Sequence, residues 1–137
     1  MISARNQIKG IVKEVNEGAV NGIVKVEAGE GNRISATISM ESIKELGHVP
    51  GKEVTAVVKA TSVMMANGKV NISARNQLTG KVVSIDEGAV NAIVKLDVPG
   101  GIGITSTISM EAVKELGLEV GKEATAIIKA TSVMISA

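Results

Sequence analysis

Residues Arg33-Ile34-Ser35-Ala36-Thr37-Ile38-Ser39-Met40-Glu41-Ser42-Ile43-Lys44-Glu45-Leu46-Gly47 change their period halfway along. From Arg33 to Ser39 polar and apolar side chains alternate, which is the spacing of a half-buried strand. From Ser39 onward the pattern is helical. Ser39 offers a hydroxyl to cap the first turn, Glu41 suits the positive end of the helix dipole, Ile43 and Leu46 share a face, and Gly47 stops the helix. A strand that runs straight into one short helix orders everything on either side of it.

Upstream, Ile8 to Val15 and Ala19 to Val26 are Val- and Ile-rich runs parted by Asn16-Glu17-Gly18, the pattern of a hairpin, and Gly29 and Gly31 supply the next turn. Downstream, Glu53 to Lys59 and Thr61 to Met65 read as a fourth and a fifth strand. Three strands, a short helix and two strands is the element order of an OB-type five-stranded barrel.

The unit occurs twice. Ile2-Ser3-Ala4-Arg5-Asn6-Gln7 returns as Ile72-Ser73-Ala74-Arg75-Asn76-Gln77, and the same shift carries Glu17-Gly18-Ala19-Val20-Asn21 onto Glu87-Gly88-Ala89-Val90-Asn91. It also carries Thr37-Ile38-Ser39-Met40-Glu41 onto Thr107-Ile108-Ser109-Met110-Glu111, and Lys59-Ala60-Thr61-Ser62-Val63-Met64 onto Lys129-Ala130-Thr131-Ser132-Val133-Met134. A period of about 70 residues, present only twice, suits two small domains in series and is too long for a solenoid unit. The expected fold is therefore all-β: two tandem OB-like five-stranded barrels, each with one short helix, over residues 1–66 and 71–137. The seam Ala66-Asn67-Gly68-Lys69-Val70-Asn71 holds an Asn-Gly turn signal and is too short for a loose tether, so the copies should sit against each other.

Composition narrows the function. The 137 residues are 45% hydrophobic with no aromatic side chain, so the core must be filled by branched aliphatics and methionine. Cysteine is absent, which excludes a disulfide framework and a thiolate metal site. Fifteen basic against 14 acidic side chains leave a net charge of +1 and no global field to draw in nucleic acid or an anionic membrane. OB barrels often bind single strands, but that function stacks bases on aromatic side chains, which this chain lacks. No apolar run reaches membrane-spanning length and the polar start contains no secretion signal, so a cytoplasmic location without membrane association is expected. Each copy is near the lower size at which a domain folds unaided. Oligomerisation would cover strands such as Val63-Met64-Met65; the alternative is a monomer whose halves cover each other.

Catalytic arrangements are missing. The single histidine, His48, falls in the turn Gly47-His48-Val49-Pro50 and is replaced by Leu118 in the second copy, so it reads as a solvated turn residue and not as a shared active-site base. Glu17 and Glu87 flank hairpin glycines and read as solvated turn residues. Gly100-Gly101-Ile102-Gly103 joins two expected strands and opens no helix, so it reads as a turn and not a phosphate loop. A binding protein, not an enzyme, is expected.

What remains is polar and repeated. Ser3-Ala4-Arg5-Asn6-Gln7 places a hydroxyl, a guanidinium and two amides at the mouth of the first strand, and Lys59-Ala60-Thr61-Ser62 places an ammonium and two hydroxyls between the last two. Ser39 and Ser42 bracket the helix start, where unpaired backbone N–H groups favour an anion. All recur, Ser62 as Ser132, except Ser42, which becomes Ala112. Donors of this kind, with no carboxylate in either motif, suit a fully deprotonated dianion better than phosphate, whose residual O–H would lack a partner. The residues by themselves are more simply read as a solvated basic strand end beside an ordinary capped helix.

The string Ile-Ser-Ala-Arg-Asn-Gln-(Ile/Leu)-x-Gly, followed by Glu-Gly-Ala-Val-Asn and Lys-Ala-Thr-Ser-Val-Met, resembles the molbindin family, and its doubling resembles the tandem, di-Mop form. The likeness covers essentially all of both copies. It implies OB-like barrels assembled into a ring-like oligomer, a homotrimer for two-domain chains, that holds molybdate or tungstate between domains. It further implies anion contacts from Ser3, Ala4, Arg5 and Asn6, from Lys59 and Ala60 of a neighbouring domain, and from Ser39 and Ser42. The matching residues of the second copy are Ser73, Ala74, Arg75, Asn76, Lys129, Ala130 and Ser109, with Ala112 departing from the pattern. A second kind of site near the symmetry axis is implied, for which Gly18, Ala19, Val20, Asn21, Gly88, Ala89, Val90 and Asn91 are the candidates. The function implied is non-catalytic molybdate storage and homeostasis; the alternative is a sensing module that reports molybdate to a regulator or transporter.

Overall fold

The computed structural model describes residues 6–73 and 76–137. The first copy supplies β1 (Asn6–Asn16), β2 (Asn21–Ala28), β3 (Asn32–Ser39), α1 (Met40–Leu46), β4 (Glu53–Val58), a 3-10 turn (Ala60–Ser62) and β5 (Met64–Ala66). The second supplies β6 (Asn76–Glu87), β7 (Asn91–Val98), β8 (Ile102–Ser109), α2 (Met110–Leu116), β9 (Glu123–Ile128), a 3-10 turn (Ala130–Ser132) and β10 (Met134–Ser136). The change of period at Ser39 falls where the sequence places it. Ser39 has extended backbone angles and its hydroxyl oxygen accepts from the Ser42 N–H, and Gly47 ends the helix in the left-handed region at φ 65°.

All strand pairs are antiparallel, and the two sheets run β10-β4-β1-β2-β3 and β5-β9-β6-β7-β8. Each sheet is curled so that its edge strands approach without pairing, an OB-like barrel left open along one side. The curl is helped by a bulge in β1 between Val12 and Glu14, matched in β6 between Val82 and Ser84. Close approach near the bulge requires glycine: a Cβ on Gly10 would stand 2.6 Å from the Glu27 carbonyl oxygen, and one on Gly80 would stand 2.3 Å from that of Asp97.

The fifth strand departs from expectation in extent and in place. Thr61 and Ser62 belong to a 3-10 turn, closed by the Ser62 N–H to the Lys59 carbonyl at 2.9 Å, and only Met64–Ala66 is extended. That strand pairs with β9 of the second copy, while β10 pairs with β4 of the first. The turn redirects the chain across the interface, and each copy completes the other's sheet. The expected contact between copies is thus a reciprocal exchange of strands, and one continuous core runs from Val12, Val24 and Ile34 to Leu96, Ile104 and Ile128, all nearly solvent-free. Burying each such side chain contributes about 1.5–3 kcal/mol.

His48 also departs from expectation. It is 2% exposed, its backbone N–H donates to the Ile43 carbonyl at 3.0 Å, and neither ring nitrogen has a hydrogen-bond partner. The αL turn at Gly47 folds the chain back so that position 48 points inward, as Leu118 does in the second copy. Burial, and then the charge of Lys52, hold its pKa below the ordinary value.

Candidate functional site

The pleat of β9 and β6 sets the site. Asn76 pairs with Ile128, so the segment entering β6 lies beside the segment leaving β9. A cavity of about 330 Å³ opens there, lined by Ile72, Ser73, Lys129, Ala130 and Thr131 of the second copy and by Thr37 and Met64 of the first. The first copy takes part because the second 3-10 turn packs against β3, and because the exchanged β5 brings Met64 to the second sheet. Lys129 precedes the turn with extended backbone angles, and its carbonyl accepts the Ser132 N–H at 2.9 Å, which fixes where its exposed side chain leaves the backbone. The lining holds one ammonium, three hydroxyls, two apolar walls and no carboxylate.

The internal symmetry repeats the framework. The first 3-10 turn packs against β8 as the second packs against β3, and Lys59 precedes its turn with the same backbone angles as Lys129. Ser3, Ala4, Arg5, Ala74 and Arg75 lie outside the described residues; of the expected contributors, Ser73, Lys129 and Ala130 line one cavity, with the lysine from the same copy as the serine and not from a neighbouring domain.

Other expected contributors have different positions. Asn6 was expected to offer its amide to an anion, yet it is 2% exposed and binds backbone: its Nδ2 donates to the Thr105 carbonyl at 2.8 Å and its Oδ1 accepts the Thr105 N–H at 2.7 Å. Asn76 grips Ser35 of the first copy likewise, at 2.9 and 2.8 Å. One amide hydrogen and the carbonyl oxygen of each are committed to holding the copies together, because a strand edge at the interface must have its backbone groups paired. Ser39 and Ser109 serve as helix caps, accepting from the N–H groups of Ser42 and Ala112 at 3.1 and 3.0 Å, and Ser39 also donates to the Ser42 hydroxyl at 3.0 Å. They do not line the cavity, and neither do Ser62 and Ser132, which sit in the 3-10 turns.

The helix starts instead join the Gly18–Asn21 and Gly88–Asn91 turns. Met40 and Met110 donate their N–H groups to the Val20 and Val90 carbonyls at 2.8 Å, and Asn21 and Asn91 pair with Ser39 and Ser109. Val20 and Val90 are 75% and 73% exposed at these tips, apolar side chains projecting into solvent.

Thr37 and Met64 were not among the expected contributors, and Thr131 entered only as one of the hydroxyls of the repeated Lys-Ala-Thr-Ser motif. Each recurs, as Thr107, Met134 and Thr61, inside the repeated motifs, and that recurrence was the available signal. Met64 was hidden by the strand exchange that brings it to the cavity, and Thr37 by the packing of the second 3-10 turn on β3.

Among the described residues no group of three or more His, Cys, Asp or Glu could hold a metal cation, and no helix is long and apolar enough to cross a membrane. A family model described as TOBE domain matches residues 2–65 and again residues 72–135. The chain is 70% identical over 66 residues to a probable molybdenum-pterin-binding protein of Haemophilus influenzae, across 48% of this chain and 96% of that protein. It is 40% identical over 135 residues to the molybdenum transport protein ModE of Azotobacter vinelandii, across 98% of this chain and 50% of ModE, and so spans about half that relative's length. The solved structure of the cytoplasmic molybdate-binding protein ModG, with molybdate bound, superposes with a TM-score of 0.95 at 47% identity, over 98% of this chain and 97% of ModG. Matched over both halves, the chain belongs to the TOBE domain family and carries two copies of the domain in tandem.

Proposed function

We propose that this chain is a non-catalytic binding protein for molybdate, and for tungstate as a tetrahedral dianion of the same kind. The observation that carries the reading is the cavity in which Ser73, Lys129 and Ala130 meet Thr37 of the other copy, with donors on several sides and no carboxylate. A dianion that keeps no proton at neutral pH can accept from every such donor, whereas phosphate retains a hydrogen for which this lining has no anionic acceptor. The similarity to ModG along nearly the whole chain supports the same ligand and a cytoplasmic location. Arg5 and Arg75 are the guanidinium donors that the sequence offers to this ligand, and the exposed apolar residues Met64, Ile72 and Met134 pack between chains of a homotrimer. Storage and homeostasis of molybdenum is the role in this reading. A second role, reporting molybdate to a regulator or transporter, is favoured by the ModE match, in which this chain corresponds to only half of a longer protein.

Calorimetric titration of the full chain with molybdate, tungstate, sulfate and phosphate tests the ligand. Heat with the first two, lost in an Arg5→Ala and Arg75→Ala double variant, is the expected result. Silence with molybdate would remove the reading. Native mass spectrometry with molybdate reads the mass of the assembly and the anions it carries, and a trimer is expected.

A further inference from the structure

The two halves differ in one surface feature that the repeat does not contain. The linker between β5 and β6 runs past the start of β3, and a cavity of about 420 Å³ lies between them, lined by Arg33, Lys69, Val70, Asn71 and Gln77. The second copy lacks its arginine, having Gly103 where the first has Arg33.

The wall is held in place. Gln77 accepts the Val70 N–H through Oε1 at 3.3 Å and donates through Nε2 to the Val70 carbonyl at 2.8 Å, while Asn67 donates to the Leu116 carbonyl at 3.4 Å. The linker brings Lys69 and β3 brings Arg33 to the cavity, and no carboxylate lines it. Across the sheet, Glu27 stands directly opposite Arg33 and pairs with Lys13 at 3.9 Å, while Glu14 pairs with Lys25 at 2.9 Å and feels the charge of Arg33 only as a lesser influence. Among the described residues Arg33 and Lys69 form no ion pair.

We propose that this linker cavity binds small phosphomonoesters, with the phosphate on Arg33 and Lys69 and the organic portion against Val70 and Asn71. A guanidinium matches two phosphate oxygens with a planar fork, and an ammonium adds a point charge. The volume falls in the range of small-molecule sites, about 300–1,000 Å³, and exceeds what a lone tetrahedral oxyanion fills. The Asn71 amide supplies both a donor and an acceptor for hydroxyls on the organic portion. The site is separate from the Lys129 pocket and shares no lining residue with it.

The test is a nitrogen-15 NMR titration of the full chain with glycerol phosphate, with glycerol and inorganic phosphate as controls. Glycerol phosphate is expected to shift the Arg33 side-chain and Lys69–Asn71 backbone signals at one ligand per chain, inorganic phosphate to shift the same signals more weakly, and glycerol to shift none. Arg33→Gln and Lys69→Gln, both at exposed positions, should each weaken binding about tenfold, the loss of one charge-assisted contact, with the thermal midpoint unchanged. Lys129→Gln should leave it intact, so failure of the molybdate reading leaves this result standing. Absence of shifts at millimolar glycerol phosphate, or shifts that survive Arg33→Gln and vanish with Lys129→Gln, would overturn the proposal.

Discussion

At the turn after the short helix, the first copy buries His48 and the second buries Leu118, in the same backbone pocket and to nearly the same extent. At the helix start, Ser39 of the first copy caps and also bonds the Ser42 hydroxyl, whereas Ser109 caps alone above Ala112. In the strand interior, Ser106 donates to the Val63 carbonyl at 2.6 Å where the first copy has Ala36. The backbone plan is common to both copies, and the contacts that join them, the exchanged strands and the Asn6 and Asn76 grips, are reciprocal. The exchanged strands and the asparagine grips are thus a shared lock, while the Ser106 bond to Val63 is an additional contact between the copies that has no counterpart at Ala36.

The strongest challenge to this reciprocity is Asn6→Ala beside Asn76→Ala. Each leaves one backbone N–H and one carbonyl at the interface without a partner, so each should lose about 2 kcal/mol in urea denaturation. Equal losses are expected; a loss in one variant alone would show that the lock is one-sided. At the paired pockets, Lys59→Gln and Lys129→Gln should each weaken molybdate about tenfold at its own pocket, resolved by calorimetric stoichiometry. Two sites that weaken together would mean that the pockets are coupled through the shared core.

His48 sharpens the difference between copies by pH. Its folded pKa lies below the ordinary 6.5, so on acidification the unfolded chain takes up the proton first. Stability is therefore full above that value and falls as pH drops below it, down to the folded pKa, with a slope of at most about 1.4 kcal/mol per pH unit from this group. His48→Leu, which copies the second half, should flatten that part of the thermal-midpoint profile, while Leu118→His should steepen it. The smallest effects are expected at the caps. Ser39→Ala and Ser109→Ala should each cost about 1 kcal/mol, and Ser42→Ala only a few tenths, read from thermal unfolding.

The strand-to-helix switch at Ser39, the glycine stop at position 47, the hairpins and the doubling were legible because each rests on local chemistry: period, capping hydroxyl, αL preference and repeated strings. The family resemblance implied a lysine and an alanine reaching the serine motif from a neighbouring domain; the register of β6 and β9 instead sets Ser73, Lys129 and Ala130 of one copy around the same cavity. The inward turn of His48 was not read from the ring itself, and the signal for it lay in the second copy, where the equivalent position is the apolar Leu118.

By itself the sequence determined that there are two copies, that they are β-rich with one short helix each, and that their repeated donors suit an anion, since periodicity and residue chemistry are properties of short stretches. Only the tertiary structure decided which copy each fifth strand completes, that Asn6 and Asn76 hold backbone, and that Thr37 and Met64 stand beside Lys129. Two near-identical sheets offer a short edge strand the same ladder, so local preference cannot choose between them. The choice falls to the 3-10 turn that sends the chain across the interface and to the core that closes behind it.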